Sequence, residues 1–242
     1  MKFFTYPSEI LSFYEIILNK RCHRTSPLYN EDVDTMILVD SPALEECGGK
    51  TPVWGCILIG GMSSRMGQPK HLISDGCGKT WVEHTVETLR PFVDGIVLSG
   101  AGILPDSLVG LSRLEDIPGV EGPLTGILAA GRWLPHASWV VIACDMPHVS
   151  AEAVEWLLGH RRPGCWGCVP RMTEESHFEP LFAWYGTKAA CFFERQALTG
   201  DMRISDIARH PKIVNPVIPE SLQYSWKNVN TPEQLKQLKT TR

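Results

Sequence analysis

The sequence predicts an α/β fold built on a mostly parallel sheet, and two observations carry that expectation. From Trp54 onward, short apolar runs alternate with helical stretches, as repeated strand-loop-helix units require. The chain has 242 residues, 43% of them hydrophobic, enough to bury a sizeable core in one large α/β domain carrying an appendage.

Residues 1–50 read as an N-terminal extension. Ser8 caps one short helical pattern of Ile10, Leu11, Ile16 and Ile17, and polar and turn-forming residues then run through Glu45, Glu46, Gly48 and Gly49. So few apolar residues favour a weakly ordered extension, or an upstream mis-assigned start, over a separate functional module. Residues 51–242 read as the domain itself. Strands are predicted at 54–59, 95–99, 139–143, 167–170 and 181–185, and helices near 79–90, 122–133, 150–161, 187–198 and 232–238. Gly78-Lys79-Thr80 is a turn into the first of these helices rather than a Walker loop, because Ile73 stands where that loop needs a glycine.

Composition excludes several function classes. Lys and Arg number 23 against 27 Asp and Glu, a net charge of -4, and no long basic run offers a footprint for nucleic acid. Pro7, Ser8, Glu9 and Glu15 interrupt the apolar residues near the amino terminus, so a signal-peptide core and a membrane span are not expected. Eight cysteines are scattered, with Cys56, Cys144 and Cys191 in apolar runs as buried thiols would be, and the chain is too long to need disulfide staples. A reducing, cytoplasmic setting is expected. Cys165 and Cys168 form a lone C-x-x-C without a second ligand pair, and His84 and His177 stand apart from other ligands, so all four are read as structural. No Gly-x-Ser-x-Gly elbow supports nucleophilic hydrolysis.

In an open α/β sheet, ligands bind beyond the carboxyl ends of the strands, which directs attention to the loops starting at Gly60, Ser99 and Cys144. After the run Trp54-Gly55-Cys56-Ile57-Leu58-Ile59 comes Gly60-Gly61-Met62-Ser63-Ser64-Arg65-Met66-Gly67-Gln68-Pro69-Lys70. Glycines let main-chain N–H groups approach phosphate oxygens, while Arg65 and Lys70 can neutralise phosphate charge. An ordinary strand-to-helix turn with two solvated cations is the competing reading of a Gly-Gly pair alone. Asp145, at the end of the apolar strand 139–143, is a carboxylate that needs a cation or a donor, and Mg²⁺ with substrate phosphates would supply one. A cap on the following turn is the alternative.

The string Gly-Gly-x-Ser-x-Arg-Met-Gly-x-x-Lys resembles the signature loop of the nucleotidyltransferases related to molybdenum cofactor guanylyltransferase. Three further segments fit that resemblance in the family's order: Glu115-Asp116 with Gly122-Pro123-Leu124-Thr125-Gly126-Ile127, then Cys144-Asp145-Met146-Pro147, then Asn228-Val229-Asn230-Thr231-Pro232-Glu233. Together they span residues 54–238, leaving the first 50 outside. The resemblance implies a three-layer, Rossmann-like nucleotidyltransferase fold of the nucleotide-diphospho-sugar transferase kind.

The resemblance also implies a reaction: transfer of GMP from GTP to the phosphate of molybdopterin, molybdenum-loaded, with Mg²⁺ as cofactor and pyrophosphate released. Arg65, Lys70 and Asp145 are the implied catalytic residues, with Asp145 on the metal. Leu58, Ile59, Gly60, Gly61, Lys70, Ser99, Asp116, Gly122 and Asp145 are the implied nucleotide contacts. Arg203, Asn228 and Asn230 are the implied acceptor contacts, although Asn230 also reads as a cap or turn residue before the last helix. The family's partners would include a cofactor-insertion protein or a molybdoenzyme. Gly60-Gly61 favours guanine, whereas Ile59 (commonly Ala), Ser99 (often Asn) and Gln68-Pro69 before Lys70 depart from the family pattern. Cytidylyl or sugar-phosphate transfer on the same fold, and a catalytically silent nucleotide-binding adaptor, are the alternatives.

Overall fold

Seven strands line up in the order β3-β2-β1-β4-β6-β5-β7, with β1 Val53–Leu58, β2 Gly95–Ser99, β3 Ser112–Leu114, β4 Ser138–Ala143, β5 Gly167–Cys168, β6 Phe182–Tyr185 and β7 Ile213–Val214. The computed structural model describes residues 51–60, 68–75 and 78–240. The helical pattern expected after Ser8, and the loop positions Gly61 to Gly67 with Arg65, lie outside the described residues.

Strand β1 pairs in parallel with β2 on one side and β4 on the other, and β2 pairs in parallel with β3. Only β6 runs against its neighbours, antiparallel to both β4 and β5. The predicted strands 54–59, 95–99 and 139–143 are therefore present, while 167–170 and 181–185 shorten to β5 and β6. Strands β3 and β7, two or three residues long at the sheet's edges, carry too little apolar pattern to be read from sequence.

The five predicted helices are α1 Trp81–Leu89, α2 Pro123–Trp133, α3 Ala151–Gly159, α4 Thr187–Thr199 and α5 Pro232–Thr240. Thr80 starts α1 with a capping box, its side chain accepting from Glu83 N while the Glu83 carboxylate accepts from Thr80 N. The turn reading of Gly78-Lys79-Thr80 follows from that cap. Ser150 caps α3 through Ala153 N at 3.2 Å, and Gly200 ends α4 in the left-handed conformation.

Alternate residues of each strand serve opposite faces of the sheet. Ile57, Leu98 and Ile142 pack with Val82, Val86 and Leu89 of α1 and with Val154 and Leu157 of α3. Cys56, Leu58, Val97 and Val141 pack with Leu124 and Leu128 of α2 and with Ala189 and Phe193 of α4. Two apolar clusters on one sheet make the three-layer arrangement. They also explain why the central strands are apolar almost throughout: both faces are covered. Cys56, Cys144 and Cys168 are buried and Cys165 is half-buried, whereas Cys191, expected inside, is exposed on α4, where its apolar neighbours in sequence point to a different side of the helix. Among the described residues, no helix is long and apolar enough to cross a membrane.

Candidate active site

From β1 the chain adds β2 and β3 on one side, then returns to place β4 on the other side of β1. At such a switch point the loops leaving two adjacent parallel strands diverge and open a crevice. Gly60 leaves β1 there, and Asp145 stands two residues beyond the end of β4.

Three side chains from distant parts of the sequence meet at this point. Lys70 Nζ donates to Asp145 Oδ2 at 3.3 Å and to Asn230 Oδ1 at 2.5 Å. A local apolar cluster brings them together: Ile73, three residues past Lys70, packs with Trp81 at the start of α1 and with Val229, the neighbour of Asn230. Burying side chains of this size contributes roughly 1.5–3 kcal/mol each. Val229 N donates to Asp145 O at 2.9 Å, locking the C-terminal segment to the end of β4. Thr231, not Asn230, caps the last helix, for its Oγ1 accepts from Gln234 N and its own N–H donates to Gln234 Oε1. The Asn230 side chain is thereby left to Lys70.

The Lys70 segment, a 3₁₀ turn over Lys70–Leu72, has a second anchor that sequence reading missed. His71 is buried, and its Nε2 donates to Ile103 O at 2.9 Å in the loop after β2. A histidine beside the loop's lysine was the available signal. Lys70 and Asp145 both keep modest side-chain exposure, 17% and 19%, so the pair is reachable from solvent. Among the described residues, Asp145 Oδ1 and Asn228 Oδ1 are buried with no hydrogen-bond partner. Buried oxygens left without donors are costly and commonly mark the place of an ion or ligand.

The β1–β2–β3 flank holds the residues expected to meet a nucleotide. Leu58 and Ile59 are buried at the end of β1, and Ile59 N donates to Ser99 O at 2.8 Å. Ser99 is buried, and its Oγ has no hydrogen-bond partner among the described residues. The next residue, Gly100, has φ +116°, and a Cβ on it would lie 2.5 Å from Gly60 N, so glycine is required for the two loops to touch. Arg113 Nε donates to Gly100 O at 2.9 Å and holds that turn. Asp116 is exposed in the loop after β3, and Gly122, with φ +67°, opens α2. Thr125 in the first turn of α2 accepts from Ile117 N at 2.5 Å, tying the Asp116 loop to the helix start. No sequence signal singled out Thr125 or Gly100 as the residues that close this flank.

Arg203 stands in another setting. It is exposed, bonded to Asp201 at 3.0 Å and to Asp206 at 3.2 Å, in a segment packed between α4 and β7. Among the described residues its partners are Asp201 and Asp206 rather than Lys70, Asp145 or Asn230. His84 bonds the Val149 carbonyl at 3.1 Å, and His177 is exposed.

The model of the MobA-like NTP transferase domain matches residues 55–214, about two thirds of the chain and all of the crevice except Asn228 and Asn230. The chain belongs to the MobA-like NTP transferase family. It is 36% identical over 194 residues to the molybdenum cofactor guanylyltransferase of Rhizobium meliloti, covering 75% of this chain and 88% of that one. It is 32% identical over 189 residues to a probable molybdenum cofactor guanylyltransferase of Pelotomaculum thermopropionicum, covering 75% and 89%. The crystal structure of molybdopterin-guanine dinucleotide biosynthesis protein A from Archaeoglobus fulgidus superposes with a TM-score of 0.63 at 30% identity, over 78% of this chain and 97% of that one. As a MobA-like NTP transferase the chain is a nucleotidyltransferase, and the Lys70–Asp145–Asn230 cluster lies where such a fold places its ligand crevice.

Proposed function

We propose that this nucleotidyltransferase transfers GMP from GTP to the phosphate of molybdopterin, molybdenum-loaded, and releases pyrophosphate. The observation that carries the reading is the convergence of Lys70, Asp145 and Asn230 at the switch point, where the buried Asp145 Oδ1 lacks a donor among the described residues. In the reaction, an acceptor phosphate oxygen forms a bond to the α-phosphorus of GTP as the bond to the bridging oxygen of the β-phosphate breaks. No covalent enzyme intermediate is needed, so catalysis is positioning and charge stabilisation.

Asp145 fits a Mg²⁺ ion of the kind that one or two carboxylates hold together with substrate phosphates and water. Among the described residues no group of three or more His, Cys, Asp or Glu side chains converges. Bound there, the ion would offset phosphate charge and polarise the α-phosphate. Lys70 supplies a cation to the same phosphates, held in place by Asn230 and His71. Gly60 and Gly61 admit the phosphates close to the main chain, Arg65 serves the reacting groups, and Leu58, Ile59, Ser99, Asp116 and Gly122 line the base and ribose. Asn228 and Asn230 face the acceptor, and Arg203 is assigned to it as well.

The test is Mg²⁺-dependent pyrophosphate release with molybdenum-loaded molybdopterin, comparing GTP, CTP and ATP, in wild type and Asp145→Ala. Release with GTP alone, lost in a variant that still folds, is expected. Preference for CTP would move the chain to cytidylyl transfer, and GTP binding without release would make it a silent binder.

A further inference from the structure

Asp145 is not a bare carboxylate. Lys70 Nζ stands 3.3 Å from its Oδ2, and both side chains are mostly shielded from solvent. At that separation the two charges largely cancel, and burial limits the screening that salt would impose. The loop that delivers the lysine brings no acid to offset it: residues 60–70 include Arg65 and Lys70 and neither Asp nor Glu. The carboxylate that fits a divalent ion is therefore already shared with a cation of the protein's own.

The two partners of Lys70 are not equivalent. Asn230 Oδ1 is the nearer, at 2.5 Å against 3.3 Å, and it is neutral, so a second cation arriving at Asp145 does not compete for it. Asn230 is fixed independently of the ion pair, because its N–H donates to Gln234 Oε1 at 2.6 Å and the preceding Val229 N donates to the Asp145 carbonyl. An ammonium carries three N–H donors on a flexible stem. Asp145 and Asn230 take two of them, which leaves one for a phosphate oxygen. On the carboxylate, Oδ1 is buried and without a donor among the described residues. A divalent ion on Oδ1 would thus share one carboxylate with the Lys70 ammonium on Oδ2. The two cations repel unless negative charge arrives with the ion, and nucleotide phosphates bring it.

We infer that Lys70 is a resident counter-ion that keeps a lone divalent ion off Asp145, so that metal and nucleotide enter the crevice together. The inference rests on the reading of Asp145 as the Mg²⁺ carboxylate and is independent of the base and of the acceptor. Lys70 then serves twice at one place. Before the nucleotide binds, its charge is spent on Asp145; afterwards it turns to the phosphates while Asn230 holds it throughout.

The experiment titrates the full chain with Mn²⁺ in the absence of nucleotide and follows the free ion by electron paramagnetic resonance. Wild type is compared with Lys70→Ala, Lys70→Gln, Lys70→Arg and the double variant Lys70→Ala/Asp145→Ala, and thermal unfolding confirms that each folds. Lys70→Ala and Lys70→Gln are expected to bind Mn²⁺ about ten-fold or more tightly than wild type, because a neighbouring positive charge has been removed. Lys70→Arg, which keeps the charge, should bind as weakly as wild type, and the double variant should lose the gain. Binding of GTP, or of whichever nucleotide supports pyrophosphate release, is then measured by equilibrium dialysis at saturating Mn²⁺. It should move the other way, about ten-fold weaker or more in Lys70→Ala, as loss of a charge-assisted bond to phosphate requires. Mn²⁺ affinity that is unchanged or lower in both neutral variants overturns this inference and leaves the guanylyltransfer reading standing. Nucleotide binding unchanged in Lys70→Ala overturns the turn of Lys70 to the phosphates. A gain that survives in the double variant takes the metal away from Asp145 and overturns this inference together with the metal reading. Preference for CTP in the pyrophosphate assay overturns guanylyl transfer alone, because the Mn²⁺ titration contains neither base nor acceptor.

Discussion

At the residue scale, Lys70 and Glu179 make opposite uses of charge. Lys70 has two acceptors already in place, so its ammonium is positioned before substrate arrives. Removing one donor from a preorganised charge-stabilising site costs about 2.7–4 kcal/mol in the barrier. Lys70→Ala is therefore expected to lower kcat by about a hundred- to a thousand-fold, and a loss of ten-fold or less would reduce Lys70 to peripheral binding. Glu179 is held without a partner, and its carboxyl rises from 4.5 to about 7. The folded chain then binds that proton more tightly than the unfolded chain. The associated stability is complete below pH 4.5 and is lost as pH rises through about 7. Glu179→Gln should gain on the order of 1 kcal/mol over wild type at pH 8, and the gain should vanish towards pH 4.5. Denaturant unfolding at the two pH values measures this, and an equal difference at both would mean that the carboxylate is not strained by burial.

At the element scale, the short turn Lys70–Leu72 is too brief to hold a geometry by its own hydrogen bonds and depends on its neighbours. Ile73 anchors it to Trp81 and Val229, and His71 anchors it to the Ile103 carbonyl. The His71 bond also links the Lys70 turn to the loop after β2, so the two segments are held together. His71→Ala leaves a polar group without its partner and should cost about 1–3 kcal/mol of stability. By loosening Lys70 it should also lower kcat about ten-fold or more, since small misplacements of a positioned group are expensive. Thermal denaturation and kcat test the two effects separately. Lost stability with unchanged kcat would show that Asp145 and Asn230 suffice to place Lys70.

At the scale of the whole molecule, the crevice is assembled by sheet order: β1 and β4 are adjacent in space but separated by about eighty residues of chain, and the last segment returns to dock on Asp145. The described core lies within residues 51–240. A protein of residues 51–242 alone should unfold cooperatively and release pyrophosphate within about two-fold of the full chain, because each clustered site residue lies inside it. A large loss of activity from a folded protein of that length would assign the first 50 residues a part in the site. The sequence by itself determined the α/β class, the central strands and the helices, because strand and helix periodicities and the Thr80 and Ser150 caps are local properties. It also pointed to Lys70, Asp145 and the Gly60 loop through residue type and order. Only the tertiary structure decided that Asn230 accepts from Lys70 while Thr231 caps the helix, and that Cys191 faces outward. Those outcomes depend on strand register and on contacts between residues far apart in the chain, and no local pattern encodes them.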